Sequence, residues 1–433
     1  MSATSHSLLR AVSRWQVVAL SINDVIGSGV YLLPTTAALL LGGASLWAVL
    51  LAGVCVLFIV LCFAEAGSLF DRPGGPYLYA REAFGDFIGF EVGWMSWVVR
   101  VAAAASLSNA FALAFGAWTD AVDRGVGRAL AIGLCLAFLT AINIAGVKHG
   151  ARTAVILAVG KVLPLLVLIA FGLFAVDLST VDLSTAPPTA KLGEAAFLLL
   201  YAYAGFESTA AAAGEYKNAR RDVPFALLLM IIGVTAIYTL VQLVALGTVP
   251  DLAHAKQPLA AAAGILLGPF GASLLTVGAL MSILGTNNNS MLNGARYLYA
   301  LAESGRLPGF FARVHPRFRT PWIAILTQML LALPLALTGS FIELAALSVI
   351  ARMAAYIGTC AAVPVLRRKL PQSPRTIRLP GGPLIPIVAL GLCAFLLTFA
   401  RPRSLVLGAI ALAVGAVIYA AGRASQGRVT PRP

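Results

Sequence analysis

The chain has 433 residues, 60% of them hydrophobic and only 11% charged, with a mean hydropathy of +0.90. A soluble protein of this length would carry about twice that charged fraction, so a soluble fold is excluded. The net charge of +14 would suit a nucleic-acid partner, but the positive residues cluster in alternate loops, which makes the excess a mark of membrane orientation with anionic lipid as the partner.

Apolar runs long enough to cross a bilayer recur from end to end, without the alternation of an outer-membrane barrel, so an all-α polytopic membrane protein is expected. About twelve spans are predicted in chain order: 16–41, 46–69, 85–116, 129–147, 152–176, 193–213, 224–248, 268–299, 321–338, 341–366, 384–400 and 404–422. The first is too long for a cleavable signal peptide and has no small-residue cleavage site before Pro34. Phe70 to Gly85 reads as a loop whose Pro-Gly-Gly marks a turn, and Val176 to Lys191, with Pro187-Pro188, reads as a polar loop on the other side. Ala302 to Pro321 and Val365 to Gly382 are basic loops, and no separate soluble domain fits: residues 1–433 form one integral-membrane unit. With both termini inside, the inner segments hold about 22 of the 31 Lys and Arg, which predicts a cytoplasmic-membrane protein with cytoplasmic termini. Cys55, Cys62, Cys135, Cys360 and Cys393 lie in apolar stretches without ligand spacing, and the four His lie at or near loops; no disulfide, metal or cofactor is expected.

Two spans carry polar interruptions near their middles. Ser21 to Pro34, SINDVIGSGVYLLP, contains Gly27-Ser28-Gly29, where a helix can unwind at little cost. Tyr201 to Glu215, YAYAGFESTAAAAGE, interrupts the sixth span at comparable depth. These would be the first helices of two five-helix halves, 16–176 and 193–366, which run in opposite directions because each has an odd number of helices; 384–422 adds two more. Interrupted helices at matching positions of inverted halves point to a midplane binding site. An unwound turn offers N–H groups to a carboxylate and carbonyls to an ammonium, the two groups every α-amino acid carries on one carbon. The competing reading of the glycines alone is close helix packing.

IGSGVYLLP, AEAGSLFDRPGGPYLYAREAFG (Ala64 to Gly85), GFESTAAAAGEYKNARRDVPFAL (Gly205 to Leu227) and NGARYLYALAESGRLPGFFARVHPRFRTP (Asn293 to Pro321) together resemble the amino acid–polyamine–organocation superfamily over nearly the whole chain. That resemblance implies a LeuT-type fold of two inverted five-helix repeats with helices 1 and 6 broken, working by alternating access. It implies that Ile26, Gly27, Ser28, Gly29, Ala204, Gly205 and Phe206 line the substrate site, with Phe206 as an aromatic lid. Tyr201 falls where arginine–agmatine antiporters of the superfamily place a gating Trp, but the antiporter's Trp in span eight is missing and Thr286 to Ser290 stand in that region, which puts arginine and agmatine in doubt.

Intramembrane ionisable residues mark function by default. The resemblance implies that Lys161 places an ammonium near the unwound part of span one, standing in for a sodium ion; a snorkelling Lys is the plain alternative. Glu207 and Asp24 are each candidates for a coupling proton, or a helix-fixing acid and a cap of the break, respectively. Arg100 is read either as a partner for an acidic substrate or as half of a fixed pair, and Arg352 as structural. Glu65, Arg72 and Arg81 are expected in a cytoplasmic salt-bridge gate, and Asn287, in a run of three Asn, as an uncharged cavity group. The leading function is a sodium-independent secondary carrier of amino acids, proton-coupled, with obligate exchange (amino acid, or amino acid against polyamine) as the alternative and a neutral amino acid the preferred cargo. A non-transporting amino acid sensor is a further reading. A membrane enzyme would need a nucleophile, ligand set or cofactor motif that the sequence does not offer, and oligomeric state is not legible.

Overall fold

The computed structural model describes residues 10, 12–122, 124–146, 151–182 and 184–426, with backbone alone for 120, 151–157 and 424–426. His6, His149 and the end of the fourth predicted span at 147 lie outside these residues. Among the described residues the chain is helical and has no strand, only an isolated bridge between Val12 and Tyr216.

The first predicted span is two helices, α1 (Arg14–Val25) and α2 (Ser28–Leu41). Between them Ile26 lies at φ −70°, ψ 100° and Gly27 at φ −124°, ψ −147°. The break is therefore shorter and earlier than the Gly-Ser-Gly triplet implies, and Ser28 and Gly29 already belong to the first turn of α2. Gly29 serves packing instead: a Cβ there would lie 2.6 Å from Ala202 Cα.

α3 (Leu46–Leu69) matches its predicted span, whereas the expected loop that follows contains a helix, α4 (Gly75–Phe84). Gly74 at φ 136° and Gly75 at φ 49° make the turn, and Pro76, with its φ already set, starts the helix. α5 (Asp86–Phe115), α6 (Gly125–Ala145) and α7 (Ala151–Gly172) follow. The sixth span is again divided, into α8 (Thr189–Leu199) and α9 (Glu207–Ala211), with turns across 200–206 in which Gly205 takes φ 126°. The remaining helices are α10 (Ala219–Thr248), α11 (Pro258–Glu303), α12 (Trp322–Thr338), α13 (Phe341–Lys369), α14 (Leu384–Leu397) and α15 (Pro402–Gln426). α11 bends at Gly268, φ 66°, before Pro269; the part beyond the bend is the predicted eighth span, and the part before it is a helix that the sequence pattern does not predict.

Among the described residues seven stretches are long and apolar enough to cross a membrane, including Ser28–Leu69, and Ala158–Gly172, Trp322–Thr338 and Leu384–Leu397 are shorter apolar helices. Large apolar side chains such as Leu134, Phe138, Val417 and Leu330 point outward, while Arg100, Asn109, Lys161, Glu207 and Arg352 are buried. That distribution suits a lipid surround and a polar interior path. The chain is an all-α polytopic membrane protein. α5 lies at its centre, packed on α11 and α13, while α3 packs on α10 and α15 lies at the periphery. All five cysteines are buried and unbridged.

Candidate functional site

The two breaks meet. Gly205 has no room for a Cβ because the carbonyl of Asp24, at the end of α1, occupies that space, and Gly29 leans on Ala202 in the same way. Tyr238 on α10 donates its hydroxyl to the Ala202 carbonyl at 2.9 Å, with the Val25 carbonyl at 3.4 Å, thereby serving one orphan acceptor from each break. Ser21 on α1 and Thr209 on α9 share a 2.8 Å hydrogen bond between hydroxyls. Lys161, on α7 and buried, donates to the carbonyls of Asn23 and Ile26, the latter at 2.9 Å, where Ser282 also donates at 3.2 Å. The carbonyl end of α1 thus holds a fixed ammonium.

A small cavity opens between the breaks. Asp24, Gly27, Ser28 and Gly29 form one wall and Tyr201, Ala204, Gly205 and Ser208 another. Arg100 and Ala103 of α5, Thr286 and Asn289 of α11 and Arg352 of α13 complete it. The first amides of α2 lack intrahelical partners and lie on this wall, so they can receive an anion. Asp24 accepts from Asn289 Nδ2 at 3.1 Å, a neutral partner. Ser28 Oγ and Tyr201 Oη lie 3.3 Å apart.

Glu207 is held from three directions. Its Oε1 pairs with Arg352 and lies 3.6 Å from Arg100 Nη2, and its Oε2 accepts from the Gly205 amide at 3.1 Å. Arg100 also donates to Ser208 Oγ at 2.9 Å. Both arginines and the carboxylate are buried, so one acid faces two guanidinium groups away from bulk water.

Of the residues singled out in the sequence, Asp24, Gly27, Ser28, Gly29, Tyr201, Ala204 and Gly205 stand on the cavity wall. Ile26 contributes its carbonyl to Lys161 and buries its side chain. Phe206 packs into an aromatic cluster with Phe63 at 5.2 Å and Tyr356 at 5.3 Å, away from the wall. Asn287 turns toward α5 and donates to Ser108 at 3.0 Å, while Thr286 and Asn289 face the cavity. A run of three Asn carries no helical phase of its own; the hydrogen bonds of Asn287 to Ser108 on α5 and of Asn289 to Asp24 on α1 show it. Arg352, expected to be structural, also lines the cavity.

Glu65, Arg72 and Arg81 do not form one gate. Glu65 takes Arg367 through two hydrogen bonds of 2.6 Å, Arg72 pairs with Glu82 at 2.5 Å, and Arg81 with Asp86 at 2.7 Å. The bidentate Arg367 pair ties α3 to α13. At the same end Arg14 pairs with Asp222 at 3.0 Å, and Val12 exchanges backbone hydrogen bonds with Glu215 and Lys217. Together these bonds latch the start of α1 to the segment between α9 and α10.

The sequence pattern of the family described as amino acid permease matches residues 12–421. The chain belongs to the amino acid permease family. The permease is 31% identical over 414 residues to the serine/threonine exchanger SteT of Bacillus subtilis, an alignment covering 92% of each chain. It is 28% identical over 439 residues to the methylthioribose transporter of Bacillus subtilis, with 96% of this chain and 94% of that one covered. With the branched-chain amino acid permease BcaP of Bacillus subtilis the identity is 26% over 448 residues, covering 97% and 94%. The superfamily resemblance is thereby borne out, and the permease is a multi-pass membrane transport protein.

Proposed function

We propose that the permease is a secondary active carrier of amino acids in the cytoplasmic membrane, sodium-independent and proton-coupled. It has twelve spans with both termini inside, arranged as two inverted five-helix halves and two further helices, and works by alternating access. The observation that carries this reading is the meeting of two broken helices around one cavity, with unpaired amides at the start of α2 opposite the acidic, carbonyl-bearing end of α1. A carboxylate and an ammonium on one carbon suit that arrangement. The names of SteT and BcaP, an exchanger and a permease of amino acids, support the substrate class.

Sodium independence is argued from Lys161, whose ammonium is bonded to the carbonyls that a sodium ion would use. The coupling proton is assigned to Asp24. Its carboxylate lines the cavity and has a neutral amide for a partner, so it can change protonation without breaking an ion pair. Glu207 is clamped by Arg100 and Arg352, and protonating it would strand two buried cations. Exchange is the second reading, favoured by the relation to the exchanger SteT.

The test is uptake of labelled amino acids into proteoliposomes in sodium-free buffer under an inward proton gradient, for wild type and D24N. Accumulation by wild type and its loss in D24N are the expected results. Accumulation that survives in D24N would contradict the assignment of the proton to Asp24. Uptake confined to vesicles preloaded with amino acid makes the permease an exchanger, and uptake that requires sodium contradicts the role of Lys161.

A further inference from the structure

We infer that the cavity selects amino acids whose side chain ends in a carboxylate, with Arg100 as the specificity-determining cation. This rests on the carrier reading above and names its substrate class, in place of the neutral side chain the sequence favours.

Four observations converge on it. Arg100 and Arg352 are 6% and 3% exposed, and both reach the cavity wall. Their shared carboxylate partner is Glu207, whose Oε1 serves both while Oε2 is engaged by the Gly205 amide. Among the described residues the Nε atoms of both arginines are buried without a hydrogen-bond acceptor. A buried charged donor left unpaired is costly, so a further acceptor brought to this cluster is favoured.

The local charge points the same way. Asp24 and Glu207 supply two carboxylates against the three cations Arg100, Arg352 and Lys161. With Asp24 ionised a zwitterionic amino acid leaves that excess of one positive charge in place, and with the coupling proton on Asp24 it leaves an excess of two; a second substrate carboxylate lowers the excess in either state. The direction also fits. An α-carboxylate at the first amides of α2 and an ammonium toward Asp24 leave the side chain facing the remaining wall, where α5, α9 and α13 present Arg100, Ser208 and Arg352. Arg100 is the more available of the two cations, since Arg352 makes the closer pair with Glu207. Its planar fork can hold a second carboxylate beside Ser208.

The experiment compares each acid with its own amide, which keeps size and removes the charge. Thermal stabilisation of the purified permease by L-aspartate, L-asparagine, L-glutamate and L-glutamine gives the affinities, and competition for uptake in proteoliposomes checks them. At least one acid is expected to bind on the order of tenfold more tightly than its amide, the size of one added charge-assisted hydrogen bond. In R100Q the acid-to-amide ratio is expected to fall toward one. If R100Q fails to fold, the wild-type comparison alone decides. Amides that bind as tightly as the acids, or a ratio that R100Q leaves intact, would overturn the inference. Binding and uptake of neutral amino acids alone would overturn it while leaving the carrier reading in place; uptake of none across a full amino acid panel would overturn both.

Discussion

Glu207 must satisfy two guanidinium groups and a backbone amide at once, which makes it the residue that fixes the start of α9 at the break of the sixth span. In E207Q both arginines lose their neutralising charge, and a loss of roughly 3–5 kcal/mol of stability is expected, as for other buried pairs broken from one side. Removing Arg352 as well, in E207Q/R352Q, should return part of that loss; thermal unfolding in detergent of the two single variants and the double measures the coupling. Additive losses would show that the pair does not hold the break. Gly205 gives a second residue-level expectation. It combines φ 126° with a Cβ position filled by the Asp24 carbonyl, so G205A should cost about 1–3 kcal/mol and abolish uptake. Gly233 has ordinary helical geometry and open space at its Cβ, so G233A should be neutral or slightly stabilising, and a similar penalty at both sites would refute this view of Gly205.

At the scale of elements, the broken helices were legible because lipid cannot satisfy freed backbone groups, so glycine and polar residues in the middle of an apolar run mark backbone that faces the protein interior. Their lengths were not legible: a Gly-Ser-Gly triplet marks where the backbone is free, but the contact of Gly29 with Ala202 decides which glycine bends and which one packs. α4 was hidden inside an apparent loop because its helical pattern is short and its Pro and Gly read as punctuation, although here they form the turn and first residues of the helix. The side chains on the cavity wall were legible on span one, where the break itself dictates them. They were missed on α11, where only the bonds of Asn287 to α5 and of Asn289 to α1 distinguish the two residues. The latch at the start of α1 carries its own expectation. Breaking Arg14–Asp222, a partly exposed pair, by R14A should open that end of the cavity more often. A cysteine placed at Thr286 should then react with a water-soluble thiol reagent about two- to fivefold faster, the range that such a pair supplies. An unchanged rate would mean that this latch does not gate the cavity. The five native cysteines are buried, which keeps their background labelling low.

For the whole molecule, the same few facts govern stability and transport. An apolar exterior suits lipid and charged side chains are buried inside; on the proposed carrier reading, the polar interior opens when packed helices shift. α1 is the element placed to do this, since its first turn is latched by Arg14 and its last turn holds both Asp24 and the carbonyls bonded to Lys161. A proton on Asp24 and an amino acid at the break would then bias one and the same movement, which is what coupling requires. The most direct measurement follows labelled amino acid and internal pH together in the same proteoliposomes, sodium-free and without internal amino acid. Proton-coupled carriage predicts that adding the transported amino acid outside acidifies the interior in step with uptake, and that D24N abolishes the acidification. Uptake that proceeds with no pH change, or that begins only when sodium or internal amino acid is supplied, would contradict it.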